Sequence, residues 1–223
     1  MRRSVVRRAT PSGYATAAIL LSVAVSACGL IGKTGEGPLT TETRPVTGFT
    51  RVDVSNGIGV TVRFGQTTSV DVSAQANILP IIATTVEGET LKIRSTEGFT
   101  TSAGVGVTVV MPALSGITLS GGSLGVIESF NADRLEITQD GGSVLTATGT
   151  STTVTLTASG GAAAHLDALA AETVNVQVSG GANATVRASR EVAGSASGGA
   201  HVTVLGDGTL NVETSGGGSV TRG

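Results

Sequence analysis

Ser120-Gly121-Gly122, Asp140-Gly141-Gly142, Ser159-Gly160-Gly161, Ser179-Gly180-Gly181, Ser197-Gly198-Gly199 and Ser215-Gly216-Gly217 form one phrase written six times. Their first residues lie 20, 19, 20, 18 and 18 positions apart, and self-similarity at such a period marks a repeat architecture. With each Ser or Asp at position zero, position −3 reads Ile117, Ile137, Leu156, Val176, Gly194 and Val212. Position −5 reads Ser115, Leu135, Val154, Val174, Val192 and Leu210, and position +7 reads Ile127, Ala147, Leu166, Val186, Val204 and Arg222. Each copy is therefore a strand, a Gly-Gly corner and a second strand, with odd offsets pointing inward. Glycine suits the corner because it takes positive φ without a Cβ clash.

One such unit cannot bury its inner face alone, so copies must stack. Stacked coils of 18–20 residues make an all-β, single-stranded parallel β-helix (a solenoid), each coil about 4.8 Å above the last. Small inner residues, and no aromatic after Phe130, predict narrow C-terminal coils.

Upstream, the period becomes two: Val52 and Val54; Ile58, Val60 and Val62; Val70 and Val72; Leu91 and Ile93; Val105, Val107 and Val109. These short alternating runs predict half-buried strands, with Asn56-Gly57 and Glu87-Gly88 as turns. Ala162–Glu172 has helical propensity but takes a strand assignment from its place in the repeat. Gly98–Gly106 reads as a mobile loop. Residues 28–45, rich in Gly, Thr and Pro, read as a flexible tether lifting a domain of residues 46–223 off a bilayer.

The bilayer comes from the N-terminus. Arg2, Arg3, Arg7 and Arg8 precede an apolar run from Ala15 to Val25, the length of a signal-peptide core and too short to span a membrane. Val25-Ser26-Ala27-Cys28 resembles a bacterial lipobox, which implies removal of residues 1–27 and lipidation of Cys28, the chain's single cysteine. Arg2-Arg3-Ser4-Val5-Val6 also resembles a twin-arginine signal, leaving the export route open. Either way the address is the cell envelope, with the protein lipid-anchored. Losing those four arginines leaves ten basic residues against sixteen acidic, a net charge of −6. Such a balance gives no electrostatic reason to bind nucleic acid.

The Ser-Gly-Gly series, the stretch Phe49-Thr50-Arg51-Val52-Asp53-Val54-Ser55-Asn56-Gly57 and Val109-Val110-Met111-Pro112 together resemble the GIN-domain family, over about residues 46–223. The family is described as an auto-transporter adhesin head, formerly a domain of unknown function. The resemblance implies a β-helical, envelope-exposed domain and brings no catalytic residues.

No constellation in the sequence carries chemistry. Gly121-Gly122-Ser123-Leu124-Gly125 matches the G-x-S-x-G pattern, but that elbow needs a strand-to-helix turn and a triad histidine. His165 and His201 fall about 12 Å apart on the predicted stack, too far to share an ion. Glu136 and Asp140, four residues along a strand, lie about 13 Å apart, beyond the spacing of glycosidase carboxylates. Gly206-Asp207-Gly208 is one turn, not a calcium repeat. No metal, cofactor or catalytic residue is expected.

What remains is a surface. Offsets −2 and −4 face outward, placing Thr118, Thr138, Thr157 and Gln177 in one column and Thr155 and Asn175 in the next. The reading is a non-enzymatic envelope protein whose polar face meets a surface protein, a glycan or a second copy of the chain. The rival reading is a carbohydrate-active β-helix enzyme, which a convergent acidic or Arg-acid cleft would favour.

Overall fold

The computed structural model describes residues 32–223; the expectations for the signal peptide and for Cys28 lie outside them. Strands follow one another with little between them: β1 Lys33–Thr34, β2 Leu39–Thr43, β3 Arg51–Val54, β4 Gly59–Phe64 and β5 Ser69–Gln75. A single 3-10 turn, Leu79–Ile81, leads into β6 Ile82–Glu87, β7 Thr90–Ser95, β8 Phe99–Thr100, β9 Gly106–Met111 and β10 Gly116–Leu119. The repeat supplies the long bent strands β11 Leu124–Gln139, β12 Val144–Ala158, β13 Ala163–Val178 and β14 Asn183–Ser197. Three short strands of the last coils, β15 His201–Leu205, β16 Thr209–Ser215 and β17 Ser219–Arg222, close the series.

The stack is a parallel β-solenoid, and the pairing register is the one the repeat predicts. Ile117 pairs Ile137, Ile137 pairs Leu156, and Leu156 pairs Val176, so position −3 is a continuous inner row. Position +3 is another, with Ser123, Ser143, Ala162, Ala182 and Ala200 all fully buried. The inner row lapses at Gly194, where a Cβ would lie 1.9 Å from the Val176 carbonyl oxygen. At the ends the rows also fail: Ser115 is exposed, Leu210 is 39% exposed, and the Arg222 guanidinium turns out to the carbonyls of Gly206 and Gly208. Phe130 and Phe64 pack edge to face with ring centroids 5.8 Å apart.

The corners work through both φ and stacking. Gly160 has φ +68°, and a Cβ there would sit 3.0 Å from both the nitrogen and the oxygen of Gly141 in the coil below. The second glycine then donates across the corner, Gly161 N–H to the Gly141 carbonyl at 2.7 Å and Gly181 N–H to Gly160 at 2.7 Å.

Repeat length varies at one place only. Between inner positions +7 and −5 the successive coils carry residues 128–134, 148–153, 167–173, 187–191 and 205–209. The ladders slip within this bend, between Ile127 and Phe130, Thr146 and Thr148, and Leu166 and Ala170. The rest of each coil keeps its length because its alternate residues fill fixed slots in the core.

Two expectations are corrected. From residue 32 on, the segment read as a flexible tether folds onto the body: β1 pairs β8, and β2 adds antiparallel to β5. All five β2 side chains are exposed, so no apolar alternation advertised the strand. Its main-chain ladder to β5 holds it instead, joined by side-chain hydrogen bonds between the Thr41 and Ser73 hydroxyls at 2.6 Å, from the Thr43 hydroxyl to Asp71 at 2.5 Å and from the neighbouring Arg44 to the Leu79 carbonyl at 3.0 Å. Gly98–Gly106, read as a mobile loop, contains β8 and is pinned where the Thr101 hydroxyl donates to Gln75 Oε1 at 2.7 Å.

Candidate functional site

The solenoid carries two broad sheet faces and one bend. The first face runs through β6, β7, β3, β10 and the C-terminal halves of β11–β14 to β16. On it Thr118, Thr138, Thr157, Gln177 and Ser195 stand in one column by direct strand pairing. Glu136, Thr155, Asn175 and Ala193 form the adjacent column. Thr155, Thr157, Asn175 and Gln177 are exposed, while Thr118 and Thr138 are half-buried. Toward the N-terminal end the columns become charged: Arg51 covers Gly116 and pairs with Glu136 at 3.0 Å, and Lys92 pairs with Glu87. That contact holds the Glu87 carboxyl below its usual range.

The residues weighed for chemistry are dispersed. Ser123 is fully buried, its hydroxyl without a partner, at an inner slot that later coils fill with alanine. Glu136 serves Arg51, whereas Asp140 accepts from the Gly141 N–H at 2.7 Å and the Ser159 hydroxyl at 2.9 Å. Those two donors, the backbone one first, lower the Asp140 pKa. His165 shares a row with Thr185, and His201 shares one with Asn183 and bonds Ser219 at 2.7 Å. Among the described residues no group of three or more His, Cys, Asp or Glu is poised for a metal ion. No helix among them is long and apolar enough to cross a membrane.

The bend carries the feature that sequence reasoning missed. A groove of about 620 Å³ runs along it, crossing five coils at Asn131–Asp133, Thr150–Thr152, Ala170–Glu172, Arg187–Ser189 and Gly206–Asp207. Ala132, Ser151, Ala171 and Ala188 follow one another beneath it by strand pairing; the last three side chains are buried, so their backbone and the exposed residues on either side line the groove. Ser151 is held by the carbonyls of Asp133 and Thr153, and Arg187 by the Asp167 carbonyl at 2.7 Å. A sequence signal was available in hindsight, since small residues recur in the one segment of variable length. Counted back from the next corner, Ala132, Ser151 and Ala171 all fall at −8 and Ala188 at −9, a row hidden only when offsets are counted forward from the preceding corner.

Asp133 and Glu172 fall in one row of this groove two coils apart, about 9.6 Å by coil spacing. That lies at the far limit for a water-activating carboxylate pair, and both side chains are exposed. The groove offers hydrogen-bonding groups.

The sequence matches the family model described as "Putative auto-transporter adhesin, head GIN domain" over residues 48–208. A search of curated proteins returns no match. Among solved structures, the fold resembles a putative adhesin from Bacteroides fragilis NCTC 9343, with TM-score 0.70 and 17% identity, covering 86% of this chain and 100% of that one. It resembles a putative adhesin from Parabacteroides distasonis ATCC 8503 with TM-score 0.56 and 16% identity, over 86% and 100% of the two chains. A putative lipid binding protein from the same organism aligns with TM-score 0.52 and 14% identity, over 85% and 98%. At these identities the likeness establishes the fold.

Proposed function

Because the chain belongs to the family of auto-transporter adhesin head (GIN) domains, we propose that it is a non-enzymatic envelope protein, lipid-anchored at Cys28, that uses its flat polar face for surface interaction. The observation that carries this reading is the face itself. Thr118, Thr138, Thr157 and Gln177 form one column and Thr155 and Asn175 the next, in register across successive coils. Among the described residues none of these six side chains is committed to a protein hydrogen bond, so their donors and acceptors are free for a partner. A rigid array of this kind presents polar groups with little ordering entropy to lose on contact.

The short lead-in supports the anchor and changes its geometry. β1 begins at Lys33, five residues after Cys28, and even fully extended chain spans only about 17 Å over that distance. A lipid on Cys28 therefore holds the N-terminal coils against the membrane rather than lifting the domain on a long tether. Membrane attachment comes from the acyl chains, and the acidic balance of the chain adds nothing to it.

Binding of the purified protein to envelope fragments from its own host tests the face. Thr157→Arg with Gln177→Arg should reduce binding about tenfold or more while leaving thermal unfolding unchanged. Unchanged binding would remove the face. Mass spectrometry tests the anchor separately: Cys28→Ala should abolish acylation and release the protein from membranes, and an acyl-free wild type would sink the lipid reading.

A further inference from the structure

The groove along the bend is distinct from the flat face. We propose that it binds a linear glycan, uncharged or amino-bearing, laid along the solenoid axis. Five coils at about 4.8 Å spacing give a bed about 19 Å long, so each coil meets roughly one pyranose unit. The side chains of Ser151, Ala171 and Ala188 are buried, so a sugar ring would lie over their backbone, between exposed walls that carry carboxylates, hydroxyls, an amide and a guanidinium. These groups pair with sugar hydroxyls, as donors and acceptors in convergent positions do in a ligand site.

Charge narrows the class. Asp133, Glu172 and Asp207 face one cation, Arg187, which leaves the groove net acidic. Among the described residues none of the three carboxylates forms an ion pair. An anionic polymer is repelled, and an amino sugar gains charge-assisted hydrogen bonds.

The backbone argues against an extended peptide. Strand addition needs an open sheet edge with free N–H and C=O groups. Here the groove crosses the strands instead of running along an edge, and the flanking main chain is already paired coil to coil, Asn131 with Thr150, Ser151 with Ala171, and Ala171 with Ala188. No apolar side chain larger than alanine lines the groove to hold a peptide side chain. Recognition must come from the side chains of the walls.

Titration calorimetry on the full-length protein, in a detergent without a sugar head group, tests this with three probes. Fully deacetylated chitosan tetramer, cellotetraose and tetragalacturonate span cationic, neutral and anionic chains of equal length. Expected are binding of the first two and at least about tenfold weaker binding of the third. Thr152→Trp, an exposed wall position, should abolish binding with no change in unfolding temperature. Glu172→Gln should weaken the chitosan tetramer more than cellotetraose, while Thr157→Arg on the flat face should leave both intact. The inference is overturned if neither sugar binds, if Thr152→Trp binds as the wild type does, if tetragalacturonate binds best, or if an extended lysine-rich peptide displaces the sugars. Cleavage of a bound tetrasaccharide would overturn the non-enzymatic reading while leaving the groove's ligand class standing.

Discussion

Gln139 occupies an inner slot, and replacing it with methionine should stabilise the protein. The same row reads Leu119 in the coil before, then Ala158 and Val178, so every paired neighbour is apolar. Gln139 is 1% exposed; its Nε2 donates to the Ala163 carbonyl at 3.1 Å, but its Oε1 has no partner. A buried acceptor left unsatisfied costs about 1–3 kcal/mol, and the hydrogen bond given up is worth about 1 kcal/mol. Methionine keeps the volume nearly constant and adds apolar burial, so the packing penalty stays small. The net expectation is a gain of about 1–2 kcal/mol. At roughly 2–4 °C per kcal/mol for a domain of this size class, the midpoint should rise by about 2–8 °C. Thermal unfolding followed by circular dichroism, with a denaturant titration to check that m is unchanged, measures it. A fall in midpoint would refute the reasoning. It would mean that the carboxamide oxygen is satisfied, with the hydroxyls of Ser123 or Ser143 turned toward it. Both hydroxyls also lack partners, so Ser123→Ala separates the cases: it is neutral or stabilising if they are orphans and destabilising if they form a network.

The corners predict a contrast between adjacent glycines. Gly160→Ala should cost about 1–2 kcal/mol from left-handed φ alone, with more from the 3.0 Å approach to Gly141, whereas at Gly161 φ is ordinary and a Cβ would sit 3.6 Å from the nearest atom. Equal midpoints for the two variants would refute the stacked-corner account. Asp140 predicts a pH effect. Its carboxyl is held below the ordinary 3.8 by the Gly141 N–H and the Ser159 hydroxyl, so its contribution is present above that value. The contribution should fade as pH falls through the lower folded value, because the unfolded chain takes up the proton first. In Asp140→Ser, which restores the residue of the other copies, the unfolding midpoint should fall less between pH 5 and pH 2, as measured by scanning calorimetry; an unchanged slope would count against it.

The GIN-domain fold was legible because its core is periodic. The Gly-Gly steps, the apolar rows at −5, −3 and +7, and the small row at +3 each describe a local rule that every coil repeats, so register across coils follows from register along the chain. Outward columns come free with that rule, and Thr118, Thr138, Thr157 and Gln177 stand where alternation places them. Two features obey no such rule. β2 is a fully exposed edge strand, stabilised by main-chain pairing to residues some thirty positions away, and its polar side chains read as linker.

The groove lies where the coil length changes; Ala132, Ser151 and Ala171 still share offset −8 from the following corner, but only three-dimensional stacking shows that the bend there is concave. The sequence by itself determined the solenoid, its inner rows and its polar face, because burial at a fixed period writes itself into every copy. Tertiary structure alone decided that β1 and β2 pair with the body and where the surface is concave, because edge pairing and bend geometry depend on contacts between distant residues.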